Sequence, residues 1–147
     1  MGDVDVRRLG PGDEAVAAIT FTMMAEVFGE ASEQLAHDYL QNLLVRENFW
    51  ALTAFDGTEI VGGLTAHTLP MTRTASTELF IYDLAVRHDH RRQGVGSRLV
   101  TSLRESAARS GITEIFVPAD NEDAHALDFY RAQGATASPV TIFTFTP

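Results

Sequence analysis

Residues 91–97, Arg-Arg-Gln-Gly-Val-Gly-Ser, place two arginines and two glycines between a strand pattern and a helix pattern. Glycines permit a close approach to the backbone, and the start of a helix offers unpaired N–H groups at the positive end of its dipole. We therefore expect the amides of residues 92–97, together with Arg91 and Arg92, to hold an anion such as a phosphate. The stretch lacks the third glycine of the dinucleotide-binding pattern and the Gly-Lys-Ser/Thr ending of a P-loop.

Carboxylates form the second group of residues that could do chemistry. Asp83 interrupts a nearly continuous apolar stretch, where a buried carboxylate costs several kcal/mol unless it is paired. Its partner could be a cationic ligand, Arg73 or a backbone amide. Asp120, Glu122 and Asp123 follow a predicted strand end, where sites of α/β proteins tend to lie. The alternatives are a solvated turn and, for Asp123, a helix cap.

Composition narrows the class of protein. The 147 residues predict one domain, 1–147, and the absence of cysteine excludes disulfides, zinc–thiolate sites and thiol catalysis. The net charge of −9 argues against nucleic acid as a partner. The charge is uneven, because six of the eleven arginines lie between Arg87 and Arg109 against two acids, giving that window +4 and the remainder −13.

Two absences complete this picture. His88 and His90 have no third ligand nearby, so no metal site is expected. The first residues have no signal-peptide pattern, and no apolar run approaches about 18 residues, which favours a cytoplasmic, bacterial-type protein without membrane contact.

Hydrophobic periodicity and turn residues predict the elements that must position these groups. The predicted strands cover residues 3–9, 49–55, 60–69, 77–86, 113–117 and 140–146, and the predicted helices cover 11–28, 32–45, 94–110 and 123–133. Ser32 is a possible cap of the second helix, and Asp56–Gly57 marks a hairpin turn. Early hairpins followed by strand–helix–strand units indicate a mixed α/β sheet.

Two motifs carry a family resemblance. Arg91, Gly94 and Gly96 match the Arg/Gln-x-x-Gly-x-Gly/Ala signature that follows a strand in the GNAT acetyltransferases. Downstream, "DAHALDFYRAQGA" is similar to the second GNAT motif, with Asp123 where the family usually has asparagine. The resemblance implies the GNAT fold, a mostly antiparallel central sheet with a parallel pair at the acetyl-CoA site, flanked by about four helices.

From about residue 38 to 134 the chain resembles the GNAT-type aminoglycoside 3-N-acetyltransferases. What this implies is transfer of an acetyl group from acetyl-CoA to the 3-N amine of the deoxystreptamine ring in gentamicin-type antibiotics, conferring resistance and releasing CoA. A homodimer is also implied. The alternatives are a GNAT enzyme for a polyamine, a small metabolite or a protein amine, and a CoA-binding module without turnover.

The resemblance also implies residue roles. Leu84, Ala85 and Val86 would pair with the pantetheine arm. Arg91, Arg92, Gln93, Gly94, Val95, Gly96 and Ser97 would hold the pyrophosphate, and Asp123 would touch the cofactor. Asp83 is predicted as the base, direct or through water, or as a cation holder only. Tyr130 is predicted as the general acid, the alternative being a packed tyrosine. Asp83, Asp120, Glu122 and Asp123 would bind the polycationic acceptor.

Overall fold

The computed structural model describes residues 3–147, and nine regular helices and strands lie within them. They are β1 (Val4–Arg8), α1 (Glu14–Phe28), α2 (His37–Leu44), β2 (Phe49–Asp56), β3 (Glu59–Pro70), β4 (Thr77–Val86), α3 (Val95–Arg109), β5 (Glu114–Phe116) and α4 (Ala124–Ala132). A 3₁₀ turn, His88–His90, precedes α3. The predicted mixed α/β fold is confirmed.

The strands form one sheet in the order β1-β2-β3-β4-β5. The first four are antiparallel neighbours, and β5 pairs with β4 in parallel, from Glu78 opposite Glu114 to Phe80 opposite Phe116. The predicted hairpin connects β2 to β3, but its turn lies one residue later than expected: Asp56 pairs with Glu59, so the turn residues are Gly57 and Thr58. A parallel neighbour needs a crossover, which α3 supplies.

Helices cover both faces of the sheet. Val95, Leu99, Leu103 and Ala107 recur at helical spacing on α3 and are all buried against one face of the sheet. On the other face, Met23 and Met24 of α1 contact Ala85, and α2 packs on the start of β2. No helix within residues 3–147 is long and apolar enough to span a membrane.

A β-bulge in β4 changes which residues reach each face. Thr65 of β3 lies opposite Asp83, but the next residue, Ala66, lies opposite Ile81, so Tyr82 is the extra residue. Because side chains alternate along a strand, this insertion reverses the alternation. Ile81 points to the α3 face, whereas Ala85 contacts α1. Asp83 shares its face with Ala85, so the bulge turns the carboxylate away from the core under α3.

Two sequence expectations are wrong. The second helix begins at His37 with Ala36 as its N-cap, so Ser32 caps nothing and lies in a loop. Residues 140–146 form no strand and are exposed, since no strand of residues 3–147 pairs with them. On α1, Ala17 and Thr20 are buried and Ile19 is exposed, and the Thr20 hydroxyl lies 2.9 Å from the Thr53 hydroxyl of β2.

Candidate active site

The loop before α3 has the backbone conformation of an anion cradle. Arg92 has φ 62° and Gly94 has φ 79°, both in the left-handed region. For a residue with a side chain this conformation costs about 1–2 kcal/mol, and such strain is concentrated at functional sites. Gly94 is the N-cap of α3, and no side chain caps the helix. The first-turn amides of α3 therefore remain free to meet an external acceptor.

Three arginines surround this helix start. Arg91, Arg92 and Arg98 are exposed, and none of them forms an ion pair with any carboxylate in residues 3–147. Arg87 differs, because Asp89 and Glu59 hold it at 2.6 and 3.4 Å. Three positive charges without a carboxylate partner in residues 3–147 therefore lie at the uncapped helix end.

A charged cluster anchors the 3₁₀ turn to the rest of the sheet. The His90 ring lies between Asp89 (Nδ1 to Oδ1, 2.9 Å) and Asp56 (Nε2 to Oδ2, 3.1 Å), and only 13% of its side chain is exposed. Hydrogen bonds from His90 and Arg87 lower the pKa of Asp89 to about 2. The hydrogen bond to Asp89 also raises the pKa of His90. His90 thus links the 3₁₀ turn to the end of β2. Within residues 3–147 no group of three His, Asp or Glu side chains could hold a metal ion.

Gly96 and Ser97, both predicted to contact an anion, also pack against helix α4. A Cβ on Gly96 would lie 2.9 and 3.1 Å from two ring atoms of Phe129, so any larger residue at this position would displace that ring of α4. The Gln133 amide donates a hydrogen bond to the Ser97 hydroxyl at 2.7 Å. The side-chain position of Gly96 and the hydroxyl of Ser97 therefore serve helix packing, while their amides remain at the free helix end. Gly94 has open space around it and needs glycine for its φ angle alone.

The end of β4 exposes a free backbone edge. β5 pairs with β4 only from Glu78 to Phe80, whereas Leu84, Ala85 and Val86 pair solely with β3. Pairing between the two parallel strands therefore ends at Phe80, and beyond it no strand of residues 3–147 pairs with the β4 backbone on the β5 side. An extended group carrying amides can bind along such an edge as an added strand does.

Asp83 lies at this opening without a protein partner. It is half-buried, and no side chain or amide of residues 3–147 forms a hydrogen bond or ion pair with it, so Arg73 is not its partner. Burial raises the pKa of Asp83, and the charge of Glu30 adds to the rise. An unpaired carboxylate with a raised pKa can hold a cation or accept a proton.

Tyr130 reaches the same opening from α4. Burial, then the charges of Asp83 and Asp123, raise the pKa of Tyr130 to about 12, so the hydroxyl keeps its proton at neutral pH. Its ring meets Phe129 edge-on at 5.2 Å. The structure thus brings together Asp83 and Tyr130, one able to take a proton and the other able to give one.

In the predicted acidic cluster, Asp120, Glu122 and Asp123, two of the three carboxylates accept hydrogen bonds from nearby backbone amides. Asp123 caps α4, with Oδ1 accepting from the Ala126 amide at 3.0 Å, which is the alternative that the sequence left open. Asp120 Oδ1 accepts from the Glu122 amide at 2.9 Å. Each carboxylate retains a second oxygen, and Glu122 is exposed. Their roles in binding cofactor or acceptor stay predictions.

The sequence profile of the Acetyltransferase (GNAT) family matches residues 13–135. The chain belongs to the GNAT acetyltransferase family. No curated protein matches it, but solved structures do. The aminoglycoside acetyltransferase meta-AAC0020 from an uncultured soil metagenomic sample, in complex with sisomicin, is 31% identical with a TM-score of 0.92, covering 98% of this chain and 95% of that one. Aminoglycoside acetyltransferase HMB0005, also from an uncultured soil metagenomic sample, is 32% identical with a TM-score of 0.94, covering 99% of each chain.

A more distant structure shares the fold alone. AAC(6')-Iy in complex with the bisubstrate analogue CoA-S-monomethyl-acetylneamine is 15% identical, with a TM-score of 0.84 and 99% of both chains covered. GNAT enzymes use acetyl-CoA, and this chain has a suitable constellation for it. The uncapped start of α3 and the unpaired arginines suit phosphates, and the free β4 edge suits the amides of a pantetheine arm. The residues present therefore fit the cofactor of the GNAT family.

Two features of this GNAT site escaped the sequence analysis. Glu30, in the loop after α1, acts electrostatically on Asp83 from a distant part of the chain. A continuous row of aromatic rings also crosses the face that carries Asp83, with centroid separations of 5.2–5.8 Å from Phe49 through His67, Tyr82 and Phe80 to Phe116. Tyr82 is 60% exposed beside Asp83. Only the alternation of aliphatic and aromatic residues at positions 79–82 of β4 could have indicated this row.

Proposed function

We propose that the protein is an aminoglycoside 3-N-acetyltransferase that acetylates gentamicin-type antibiotics and so confers resistance. The observation that carries the proposal is the half-buried, unpartnered Asp83 beside Tyr130 at the opening between β4 and β5. The similarity to two aminoglycoside acetyltransferases over nearly the whole chain supports the acceptor class. The 3-N position follows from the resemblance of residues 38–134.

The charge and shape of the site suit a polycationic sugar. Aminoglycosides carry several protonated amines, and Asp83 with Glu30 places negative charge on one wall of the opening. Asp120, Glu122 and Asp123 would supply further carboxylates nearby. The exposed ring of Tyr82 offers an apolar surface to a sugar face and a π-face to an ammonium group. These contacts would exclude neutral acceptors.

Acetyl-CoA, when bound, supplies a thioester carbonyl that an uncharged amine can attack, and CoA is the product. Arg91, Arg92, Gln93 and the amides of residues 94–97 would hold its pyrophosphate, and Leu84–Val86 would pair with its pantetheine arm. Asp123 would add a contact through its free oxygen. Since acetyl-CoA is a cytoplasmic metabolite, we expect the protein to act in the cytoplasm.

Two proton movements fall to this chain. An amine of about pKa 10 must lose its proton before attack, and Asp83 would accept it directly or through a water molecule. Tyr130 would donate its phenolic proton to the departing sulfur. The two steps are coupled, because the charge of Asp83 contributes to the raised pKa of Tyr130. Once Asp83 is protonated, that contribution disappears, and Tyr130 becomes a stronger acid when the leaving group needs its proton.

A thiol-release assay tests this proposal. Acetyl-CoA would be offered with gentamicin, sisomicin, spermidine and an N-terminal peptide, and free thiol measured over time. We expect release with the two aminoglycosides, abolished by Asp83→Asn and unaffected by Asp5→Asn, an exposed carboxylate on β1. Release only with spermidine or the peptide would refute the acceptor class. Absence of release with every amine, despite CoA binding, would indicate a non-catalytic module.

Salt provides a second test of the acceptor. Attraction between several carboxylates and a polycation is screened over about 8 Å at physiological ionic strength. The acceptor KM should therefore rise steeply with added salt, while the acetyl-CoA KM, which depends largely on directed backbone amides, should change less. Equal responses of the two constants would contradict the assignment of these carboxylates.

A further inference from the structure

The row of aromatic rings on the Asp83 face extends beyond the groups that move protons. Tyr82 lies beside Asp83, and from there the row continues through Phe80 to Phe116 on β5. The rings of Phe80 and Phe116 stack in parallel, with centroids 5.2 Å apart and an angle of 4° between their planes. Tyr82 is 60% exposed and Phe116 is 40% exposed. These three residues form a continuous apolar surface, which we call the aromatic platform.

The platform begins at the candidate active site and leads away from it. Helix α1 packs over β4 at Ala85, through Met23 and Met24, and Asp83 lies between this contact and the rings along the strand. At the platform itself, Tyr82 remains largely exposed. Contiguous exposed apolar patches rimmed by polar residues mark interaction or ligand-binding surfaces. The platform is therefore an uncovered extension of the opening that holds Asp83.

A pair of carboxylates lies at the far end of the platform. Glu78 of β4 is opposite Glu114 of β5 in the parallel register, just as Phe80 is opposite Phe116. Because side chains two residues apart on a strand share a face, both carboxylates lie on the side of the sheet that carries the rings. Neither of them forms an ion pair with any cation of residues 3–147. Negative charge is thus available at both ends of the platform.

The two carboxyl groups interact directly with each other. A hydrogen bond to Glu114 is the main cause that raises the pKa of Glu78, and the charge of Glu114 adds to the rise. Arg73 acts in the opposite direction but more weakly, and it forms no ion pair with Glu78. Like charges opposite each other on neighbouring strands repel. An ammonium group from a ligand would relieve this repulsion and take the place of the shared proton.

The spacing of the two acidic ends suits a polycationic oligosaccharide. Glu78 and Asp83 are four strand positions apart when the bulged Tyr82 is not counted, which is about 13 Å at about 3.3 Å per residue. This distance is comparable with the length of a saccharide of three linked rings. Ammonium groups bind both to carboxylates and to the faces of aromatic rings. An aminoglycoside with amines on more than one ring therefore matches both the charge and the surface between the two ends.

We propose that the aromatic platform and the carboxylates of Glu78 and Glu114 form a subsite for the third sugar ring of an aminoglycoside acceptor. The inference rests on the proposed function and adds the feature that selects among its acceptors. The third ring packs on Phe80 and Phe116, and one of its ammonium groups lies between the two carboxylates. Asp83 holds the reacting amine at the same time. Three-ring aminoglycosides are therefore bound more tightly than two-ring ones.

Acceptors of different length test the subsite. The KM would be measured by thiol release at saturating acetyl-CoA for sisomicin, which has three rings, and for neamine, which has two. Glu114→Gln combined with Phe116→Leu should raise the sisomicin KM about tenfold, through loss of one exposed ion pair and one ring contact, and leave the neamine KM unchanged. Glu105→Gln, at an exposed carboxylate of α3, should change neither. Equal increases for both acceptors, or no increase for sisomicin, would overturn the proposal.

Binding without turnover separates the subsite from the proposed function. Saturation-transfer NMR would be recorded on sisomicin with the protein and CoA. We expect the protons of the third ring to receive saturation from the wild type and to lose it in the double variant, while the deoxystreptamine protons keep it. If the wild type acetylates sisomicin but the third ring receives no saturation, the subsite is refuted and the proposed function stands. If the wild type neither binds nor acetylates sisomicin, both are refuted.

Discussion

Gly96→Ala should slow catalysis by displacing α4, and only secondarily by affecting the cofactor. The new Cβ would lie 2.9 Å from one Phe129 ring atom, whereas ordinary contacts begin at 3.4 Å, so the ring must retreat by about 0.5 Å. Overpacking costs about 1–3 kcal/mol, and the better helix propensity of alanine returns about 1 kcal/mol. We therefore expect a loss of about 0–2 kcal/mol in the free energy of unfolding.

The kinetic effect should exceed the effect on stability. Tyr130 follows Phe129 directly on α4, so the retreat of the ring moves the phenol as well. Because a misplacement of about 1 Å can cost about 10²-fold in rate, half of that predicts a kcat about tenfold lower. Urea unfolding and steady-state thiol release measure the two quantities.

A second substitution distinguishes whether Gly96 is needed for packing against Phe129 or for access of the cofactor. Leucine at position 129 lacks the ring atoms in question, so Gly96→Ala combined with Phe129→Leu should recover most of the lost kcat, with Phe129→Leu alone as the control. If Gly96→Ala instead raises the acetyl-CoA KM with kcat intact, equally in both backgrounds, the glycine admits the cofactor and the packing argument is refuted.

Three further predictions concern the titratable groups. Tyr130→Phe should lower kcat by roughly 10²–10⁴ with acetyl-CoA affinity retained, whereas Tyr39→Phe should be neutral; a loss below tenfold would reduce Tyr130 to a packing role. Asp83→Asn should lose activity but unfold at a higher Tm than the wild type, because the raised pKa of Asp83 means that its ionisation destabilises the folded state. The difference in Tm between variant and wild type should grow as pH rises above about 4, and a difference independent of pH would contradict this. His90→Gln should destabilise the protein most below about pH 6.5, because the pKa of His90 is raised in the folded state. The stabilisation by protonated His90 is complete below that pH and is lost as pH rises through the folded-state pKa. Equal losses of Tm at low and high pH would exclude a charged His90 between Asp89 and Asp56.

The sequence alone predicts a helix or strand correctly when the residues of that element themselves form a recognisable pattern. The β2–β3 hairpin has turn residues, including Gly57, between two strand-forming segments, and α3 repeats apolar residues on one face, so both elements were predicted within a residue or two. The glycine-containing junction before α3 was equally predictable, because its sequence pattern is local; that it binds an anion stays a prediction. Asp83 stood out since a charge within an apolar strand is costly wherever that strand packs.

The features that the sequence did not predict depend on contacts between distant parts of the chain. The close packing at Gly96 depends on Phe129, 33 residues later, and the raised pKa of Asp83 depends on its burial and then on the charge of Glu30 in the loop after α1. The bulge at Tyr82 reverses the side-chain alternation of β4, and the pattern of β4 alone does not reveal it. The strand predicted at 140–146 failed for the complementary reason, because strand propensity cannot be realised without a neighbouring edge.

Product analysis from a competition tests the central claim most directly. Gentamicin, spermidine and a peptide amine would be incubated together with limiting acetyl-CoA, and the products identified by mass spectrometry and two-dimensional NMR. The proposed function predicts a single acetyl group on the 3-N amine of the deoxystreptamine ring, with the other amines unmodified and no product from Asp83→Asn. Acetylation of spermidine or the peptide in preference to gentamicin, or of a different gentamicin amine, would contradict it.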